Sequence, residues 1–112
     1  MAGLSVGEVV FVAFPFSNFS NHKLGPALLL ADVQRGDWIL CQITSKPYAD
    51  AKAIRLESGD FEAGGFSLVS FVRPGKIFTA NESLIRKRVG TVTYAKHSAV
   101  ISTISQILYD GQ

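Results

Sequence analysis

The densest apolar run of the chain lies near its start and predicts a strand that is buried on both faces. Within residues 7–16 the apolar positions are nearly continuous and mostly β-branched or aromatic: Val9, Val10, Phe11, Val12, Phe14 and Phe16. A strand with one wet face alternates apolar and polar residues, so a run of this kind is typical of a central strand. Pro15 lacks a backbone N–H and ends regular pairing. A polar loop over residues 17–23 and a second apolar run over 27–33 then predict an antiparallel second strand.

Shorter apolar runs separated by turn residues follow. They predict strands at residues 38–44, 53–56, 66–72 and 76–79. The tripeptide Arg73-Pro74-Gly75 is a turn signal between the last two of these strands. Residues 57–65 are acidic and rich in glycine, and we expect an exposed mobile loop there. Six or so short strands in a chain of this length favour a small barrel over a sandwich.

The end of the chain has a different periodicity. Over residues 94–109 the apolar side chains recur at helical spacing, which predicts an amphipathic helix packed on the barrel. Before it, Asn81 is a suitable cap for a short helical turn that begins at Glu82. The fold predicted is therefore mainly β with a C-terminal α-helix.

Composition narrows the class of protein. The 112 residues predict a single domain, 1–112, and the apolar fraction of 47% is enough for a core. A net charge of only +2 means that any contact with nucleic acid must come from local clusters of cations. No secretory signal and no apolar run of roughly 18 residues is present, so we expect a cytoplasmic protein with no membrane association. Cys41, alone in an apolar run, is expected to be a buried inert thiol.

Candidate chemistry is limited by what the chain lacks. His22 and His97 have no ligand-spaced companions and no phosphate-binding glycine motif occurs, so we expect neither metal nor cofactor. RNA, however, carries its own nucleophile. A ribose 2′-OH attacks the adjacent phosphate when protein groups move its proton and stabilise the charge on the phosphoryl oxygens, and no metal is needed.

Several segments resemble one family. The opening strand with its Pro-Phe end, the Pro-Ala-Leu-Leu-Leu run at 26–30, the Gln-Ile-Thr-Ser stretch at 42–45, the segment 70–79 and the Val-Gly-Thr-Val stretch at 89–92 are similar to motifs of the MazF/PemK/Kid toxin endoribonucleases. The resemblance implies an SH3-like, partly open β-barrel of about six to seven antiparallel strands. It further implies a homodimer that cuts single-stranded RNA sequence-selectively without metal and is inhibited by a cognate antitoxin peptide.

The family's catalytic positions are only partly kept. The resemblance assigns catalytic roles to Thr44 and Arg73, and His22 is the nearest candidate for proton transfer. Gly25 stands where the family has an arginine before the proline of the second strand, so His22 and Lys23 are the closest substitutes for its charge. Gly75 replaces an aspartate that one branch of the family uses two places after its arginine. Phe78 stands at a further arginine of that branch.

A second group of residues is expected to bind the RNA strand. It comprises Lys23, Ser45, Lys46 and Lys76, with Phe19, Tyr48 or Phe78 available for base stacking. Each candidate also has a purely structural interpretation. The lysines are commonly solubilising charge, Arg73 could be a solvated residue at a strand end, and Thr44 could bond its hydroxyl to the backbone of a buried strand.

Two functional hypotheses from different classes follow. The first is a toxin endoribonuclease that uses Arg73 and Thr44, as the resemblance implies, with His22 of the polar loop as a further candidate. The second is a catalytically degenerate module on the same barrel that binds RNA, DNA or an antitoxin-like peptide, because two charged family positions are glycines. A plain interaction domain with an apolar dimer patch is a third, weaker alternative.

Overall fold

The computed structural model describes residues 3–14 and 23–111, with the side chain of Lys23 left out. Seven strands and one helix make up this part of the chain. The strands are β1 Glu8–Phe14, β2 Lys23–Asp32, β3 Asp37–Thr44, β4 Ile54–Leu56, β5 Phe61–Gly64, β6 Ser70–Asn81 and β7 Ile85–Val92, and the helix is α1 Tyr94–Asp110. Short 3₁₀ turns lie at Ser58–Asp60 and Glu82–Leu84.

All seven strands belong to one antiparallel sheet. Its order is β4-β6-β3-β2-β1-β7-β5, so β2 lies in the middle of the sheet with β1 and β3 as its neighbours. The terminal strands β4 and β5 do not pair with each other within the described part of the chain, and the sheet is therefore not closed. The prediction of a mainly β fold with a C-terminal helix and a partly open barrel of antiparallel strands is confirmed.

The central strands bury both of their faces, as the apolar run of β1 predicted. Successive residues of a strand point to opposite sides, so Val9 joins the cluster beneath α1 while Val10 joins a second cluster across the sheet. The helix covers the first cluster with Val100 and Ile104. Burial on both faces holds the strand ends rigidly, and those ends carry the site described below.

Residues 57–65 differ from the expected exposed mobile loop. They form the 3₁₀ turn and then β5, which pairs with β7 at the edge of the sheet. The turn has a capping box at its start, in which the Asp60 side chain accepts from the backbone N–H of Glu57 at 2.8 Å and the Glu57 side chain accepts from the backbone N–H of Asp60. Gly90 permits the pairing, because a Cβ there would lie 2.4 Å from the Ala63 carbonyl oxygen. Glycine in this segment therefore indicates close backbone approach rather than a loop.

The segment 66–79 also differs from its prediction of two strands joined by a turn. It contributes one long strand, β6, and the expected turn is a bulge inside it. Cys41 pairs with Ile77 and Ile43 pairs with Val72, so the four residues 73–76 oppose the single residue Gln42. Pro74 is fully buried in this bulge, where the missing N–H of proline costs no ladder bond.

The predicted ends of the last elements are confirmed. The side chain of Asn81 accepts a hydrogen bond from the Ser83 backbone N–H and caps the 3₁₀ turn at Glu82–Leu84. Thr93 caps α1 by accepting from the backbone N–H of Lys96 at 3.2 Å. Gly111, with φ of 67°, ends the helix in the left-handed conformation that glycine adopts without strain.

Candidate functional site

A cavity of about 620 Å³ opens where β1 ends, β2 begins and β3 ends. This volume lies within the range of small-molecule sites. The lining combines apolar and aromatic side chains with several hydroxyls and one cation: Phe14, Leu24, Gly25, Pro26, Gln42, Ile43, Thr44, Ser45, Tyr48, Phe66, Ser67, Leu68, Ser70 and Arg73. None of these lining residues, which all belong to the described part of the chain, is acidic. The cavity can therefore accept an anionic group beside Arg73.

The bulge of β6 directs Arg73 to this cavity. A bulge changes the direction in which a side chain leaves a strand, and here it lies at the point where β3 ends. The backbone of the bulge is anchored from below, since the Cys41 thiol donates a hydrogen bond to the Arg73 carbonyl at 2.9 Å. The Arg73 side chain retains 23% of its exposure. A half-buried guanidinium on rigid backbone is suited to binding a phosphate.

Asp50 forms an ion pair with Arg73 that sequence reasoning missed. Its Oδ2 lies 2.9 Å from Arg73 Nε, and the hydrogen bond from Arg73 holds the pKa of the Asp50 carboxyl below its ordinary value. The carboxylate beside Arg73 thus belongs to a loop 23 residues earlier in the chain and not to position 75. The pattern Pro47-Tyr48-Ala49-Asp50 does indicate a turn. Nothing in the sequence pairs that turn with the bulge.

Thr44 and Ser45 line the cavity together with Arg73, as a common catalytic site of Thr44 and Arg73 requires. The Thr44 hydroxyl is engaged locally, because it donates to the Lys46 carbonyl and accepts from the Lys46 N–H, each at 3.1 Å. This is the backbone-bonded arrangement that was the structural alternative for Thr44. The exposed Ser45 hydroxyl has no hydrogen-bond partner among the described residues.

Phe14 explains the glycine at position 25. A Cβ on Gly25 would lie 2.6 Å from Phe14 Cε2, so the ring occupies the space that a side chain at this position needs. Covering a strand glycine with an aromatic ring on the neighbouring strand is a known stabilising arrangement. The ring also packs against Phe78 with centroids 5.1 Å apart. Two positions where the family resemblance expects arginines are therefore part of one aromatic cluster.

The remaining sequence-based candidates are more dispersed. Lys76 lines a smaller cavity of about 170 Å³ that shares Phe14 and Gln42 with the larger one. Lys46 is exposed and lines neither cavity. His22, the aromatic candidate Phe19 and the side chain of Lys23 lie outside the described residues.

Cys41 takes no part in this chemistry. It is buried, as expected, and burial raises the pKa of its thiol to about 12. A thiol with such a pKa stays protonated and is a poor nucleophile at neutral pH. The role of Cys41 is to hold the backbone of Arg73.

Two further properties bear on the class of protein. In the described ranges, 3–14 and 23–111, no three His, Cys, Asp or Glu side chains gather as metal ligands would. No helix in the same ranges has the length and apolar character to cross a membrane. The helix α1 instead packs on the sheet through Val100 and Ile104.

The open antiparallel sheet, the packed C-terminal helix and a cation-bearing cavity at the strand ends define a small, mainly β protein with a single helix in its described part. Residues 5–108 match the family described as PemK-like, MazF-like toxins of type II toxin-antitoxin systems, and the chain belongs to that family. The resemblance noted in the sequence is thereby confirmed. No curated protein sequence matches the chain.

Solved structures share the fold. The MazE–MazF structure (Form-II) from Deinococcus radiodurans has a TM-score of 0.75 at 18% identity. The match covers 95% of this chain and 96% of the chain in that structure. An endoribonuclease in complex with its cognate antitoxin, from a Mycobacterial species, has a TM-score of 0.72 at 15% identity over 97% and 96% of the two chains. The toxin MazF-mt6 of Mycobacterium tuberculosis has a TM-score of 0.70 at 13% identity, covering 91% and 96%.

Proposed function

We propose that this toxin-family protein is an active, metal-independent, sequence-selective endoribonuclease that cuts single-stranded RNA. The observation that supports it is the arrangement of Arg73 in the cavity: a half-buried guanidinium beside hydroxyls and aromatic side chains, with no acidic side chain among the described lining residues. The solved structures with the same fold include proteins described as endoribonucleases. An unpaired strand fits such a site, because its bases are free to stack on aromatic rings.

The proposed reaction uses the ribose as nucleophile. The 2′-oxygen forms a bond to phosphorus, the bond from phosphorus to the 5′-oxygen breaks, and the products are a 2′,3′-cyclic phosphate and a 5′-hydroxyl. One proton leaves the 2′-OH and one is delivered to the departing 5′-oxygen. Arg73 donates hydrogen bonds to the non-bridging phosphoryl oxygens, where negative charge increases in the transition state. His22 is proposed to transfer a proton, on the ground of its near-neutral pKa in ordinary solution.

The other site residues are proposed to hold the strand. Ser45 has an unpaired hydroxyl at the cavity within the described region, and Lys76 lines the adjoining smaller cavity. Lys23 and Lys46 are proposed to contact phosphates beyond the cavity, as cations on flexible stems do. Thr44, whose hydroxyl already has two backbone partners, is proposed to shape the cavity and to contact the strand through its remaining surface.

The test is cleavage of a long mixed-sequence RNA in the presence of EDTA. We expect discrete fragments that end in a cyclic phosphate, and no cleavage of a DNA strand of the same sequence, because DNA lacks the 2′-OH. An Arg73→Ala variant should leave the RNA intact. The matched control is Lys96→Ala, which removes a cation of similar exposure that does not line the cavity. Intact RNA with the unmodified protein would end the proposal.

We further propose that the protein acts as a cytoplasmic homodimer with a cognate antitoxin. Structures of the same fold include an endoribonuclease with its cognate antitoxin and a MazE–MazF complex. The cavity suits a flexible peptide with acidic side chains, because its lining by the described residues includes the cation Arg73 and no carboxylate. Co-expression tests this: induction of the protein alone should arrest growth, and co-expression of a cognate antitoxin should restore it.

The catalytically degenerate binding module remains the second candidate, favoured by the environment of Gly25. The Phe14 ring fills the place of the family arginine, and the Thr44 hydroxyl is bonded to backbone. Such a protein would bind a single strand or an antitoxin-like peptide without turnover. Retention of RNA at low salt with no cleavage products, and no growth arrest on induction, would favour it.

A further inference from the structure

Asp50 is held in place by its own segment of chain. Its backbone N–H donates to the Pro47 carbonyl at 3.1 Å, and its own carbonyl accepts from the Ala53 N–H at 3.2 Å. Its Oδ1 accepts from the Lys52 N–H at 3.0 Å. Three hydrogen bonds within residues 47–53 therefore set the position of the carboxyl group, and none of them involves Arg73.

The remaining oxygen of Asp50 binds Arg73 through one particular nitrogen. Oδ2 accepts from Nε, at 2.9 Å, and the two terminal nitrogens have no hydrogen-bond or ion-pair partner among the described residues. A guanidinium is planar, so holding Nε restricts the direction of the four terminal N–H bonds. Because Arg73 lines the large cavity, these donors are available to a ligand there.

We propose that Asp50 is a positioning residue that orients the guanidinium of Arg73 toward a phosphate of the bound RNA strand. The inference rests on the proposed function. Asp50 itself is not part of the cavity lining, so its effect on the strand passes through Arg73. It supplies from the 47–53 turn the carboxylate that is missing at Gly75.

Simple electrostatics predicts the opposite effect of removing Asp50. A carboxylate close to a phosphate site repels the strand, so its loss should tighten binding and steepen the dependence on salt. Orientation predicts weaker binding, because a released guanidinium must be ordered again by the ligand. The sign of the change therefore separates the two roles.

The experiment measures the affinity for a mixed-sequence single strand that carries 2′-deoxyribose and cannot be cleaved. We expect Asp50→Ala to weaken binding about tenfold, a coupling typical of residues in one hydrogen-bonded network. Asp50→Asn should recover most of the loss, because an amide oxygen can still accept from Nε. In an Arg73→Ala background, Asp50→Ala should cause no further loss. That absence of additivity is not expected of two independent contacts.

Asp60→Ala is the matched control. Asp60 also forms a half-buried ion pair, with Lys96 at 3.4 Å, and also accepts a backbone hydrogen bond, but its partner Lys96, unlike Arg73, does not line the cavity. We expect this variant to bind the strand as the unmodified protein does. If Asp50→Ala fails to fold, as judged by thermal unfolding, Asp50→Leu, which likewise offers Nε no acceptor, takes its place in the comparison with Asp50→Asn.

The outcomes distinguish the two proposals. If Asp50→Ala and Asp50→Asn both bind the strand as tightly as the unmodified protein or more tightly, while Arg73→Ala binds weakly, the positioning role is overturned and the nuclease proposal stands. If Arg73→Ala binds and cleaves normally, the proposed function fails and the positioning role fails with it. Loss in Asp50→Ala that persists unchanged in the Arg73→Ala background also contradicts positioning.

Discussion

Two ion pairs of similar burial lie in different regions of this protein. At the cavity, Arg73 and Asp50 are 23% and 16% exposed and 2.9 Å apart; at the start of α1, Lys96 and Asp60 are 22% and 26% exposed and 3.4 Å apart. Lys96 also donates to the Arg55 carbonyl at 3.1 Å, so its ammonium joins three segments of the scaffold. Arg73 keeps two terminal nitrogens without a partner in the described structure, and they lie at a cavity. The two ion pairs are similar in burial, and both cations are paired. They differ in that Arg73 still has N–H donors available to a ligand, and these donors are what indicates a function at the cavity.

The largest expected difference between the two ion pairs is in the rate of RNA cleavage after removal of Arg73 or of Lys96. We expect Arg73→Ala to reduce the rate of RNA cleavage by roughly 10²–10³-fold, the effect of removing one donor that stabilises charge in a transition state. Lys96→Ala should leave the rate unchanged. Single-turnover cleavage of one RNA by both variants measures this. Equal losses in the two would mean that both ion pairs serve only the scaffold.

The second prediction concerns Gly25, at the cavity end. Restoring the family residue by Gly25→Arg should not restore a function but should destabilise the fold by about 1–3 kcal/mol, because the new side chain collides with the Phe14 ring. Urea unfolding measures the change.

The matched control for Gly25→Arg is Gly75→Asp, which also restores a family residue. A Cβ at Gly75 meets no atom within 4 Å, so this change should alter the free energy of unfolding by no more than about 0.5 kcal/mol. A Gly25→Arg variant as stable as the unmodified protein would show that Phe14 leaves its position at little cost.

The third prediction concerns the ion pair between Asp60 and Lys96 at the start of α1. Asp60→Ala removes the contact with Lys96 and the hydrogen bond from the Glu57 N–H, and should lower the free energy of unfolding by on the order of 1 kcal/mol. Cleavage per folded molecule should stay unchanged. Thermal unfolding and cleavage assays on the same preparation check both expectations, and a loss of cleavage without a loss of stability would contradict the assignment of this pair to the scaffold.

The smallest expected effect is on acid stability. The folded-state pKa of Asp50 lies below its ordinary value of 3.8, chiefly because Arg73 donates a hydrogen bond to the carboxylate. At a pH between these two values the unfolded chain binds more protons than the folded one, so stability falls as the pH falls through this range. The contribution of Asp50 is fully present at neutral pH. The difference in unfolding free energy between the unmodified protein and Asp50→Asn should therefore shrink toward pH 3, and a difference that grows there would contradict the pairing.

Local patterns predicted most of the fold. The continuous apolar run of β1, the alternation in β3 and the helical spacing of residues 94–109 each match the element observed, because burial on one or two faces imposes the corresponding period. The errors lie at glycine and proline. Gly64 and Gly90 allow close pairing of β5 with β7, and Pro74 is buried within a bulge. The sequence patterns instead predict a loop at residues 57–65 and a turn at residues 73–75. Glycine and proline are compatible with turns, bulges and close contacts alike, so the neighbouring strand decides among them.

The amino-acid sequence by itself determined the family and the mainly β architecture with its terminal helix, and it supplied Arg73 and Thr44 as site candidates through the family resemblance. It could not determine that Phe14 covers Gly25 or that Asp50 binds Arg73. Both are contacts between residues far apart in the chain, and no local period or motif encodes them. Only the pairing of β1 with β2, and the docking of the 47–53 turn beside the bulge of β6, bring these groups within bonding distance.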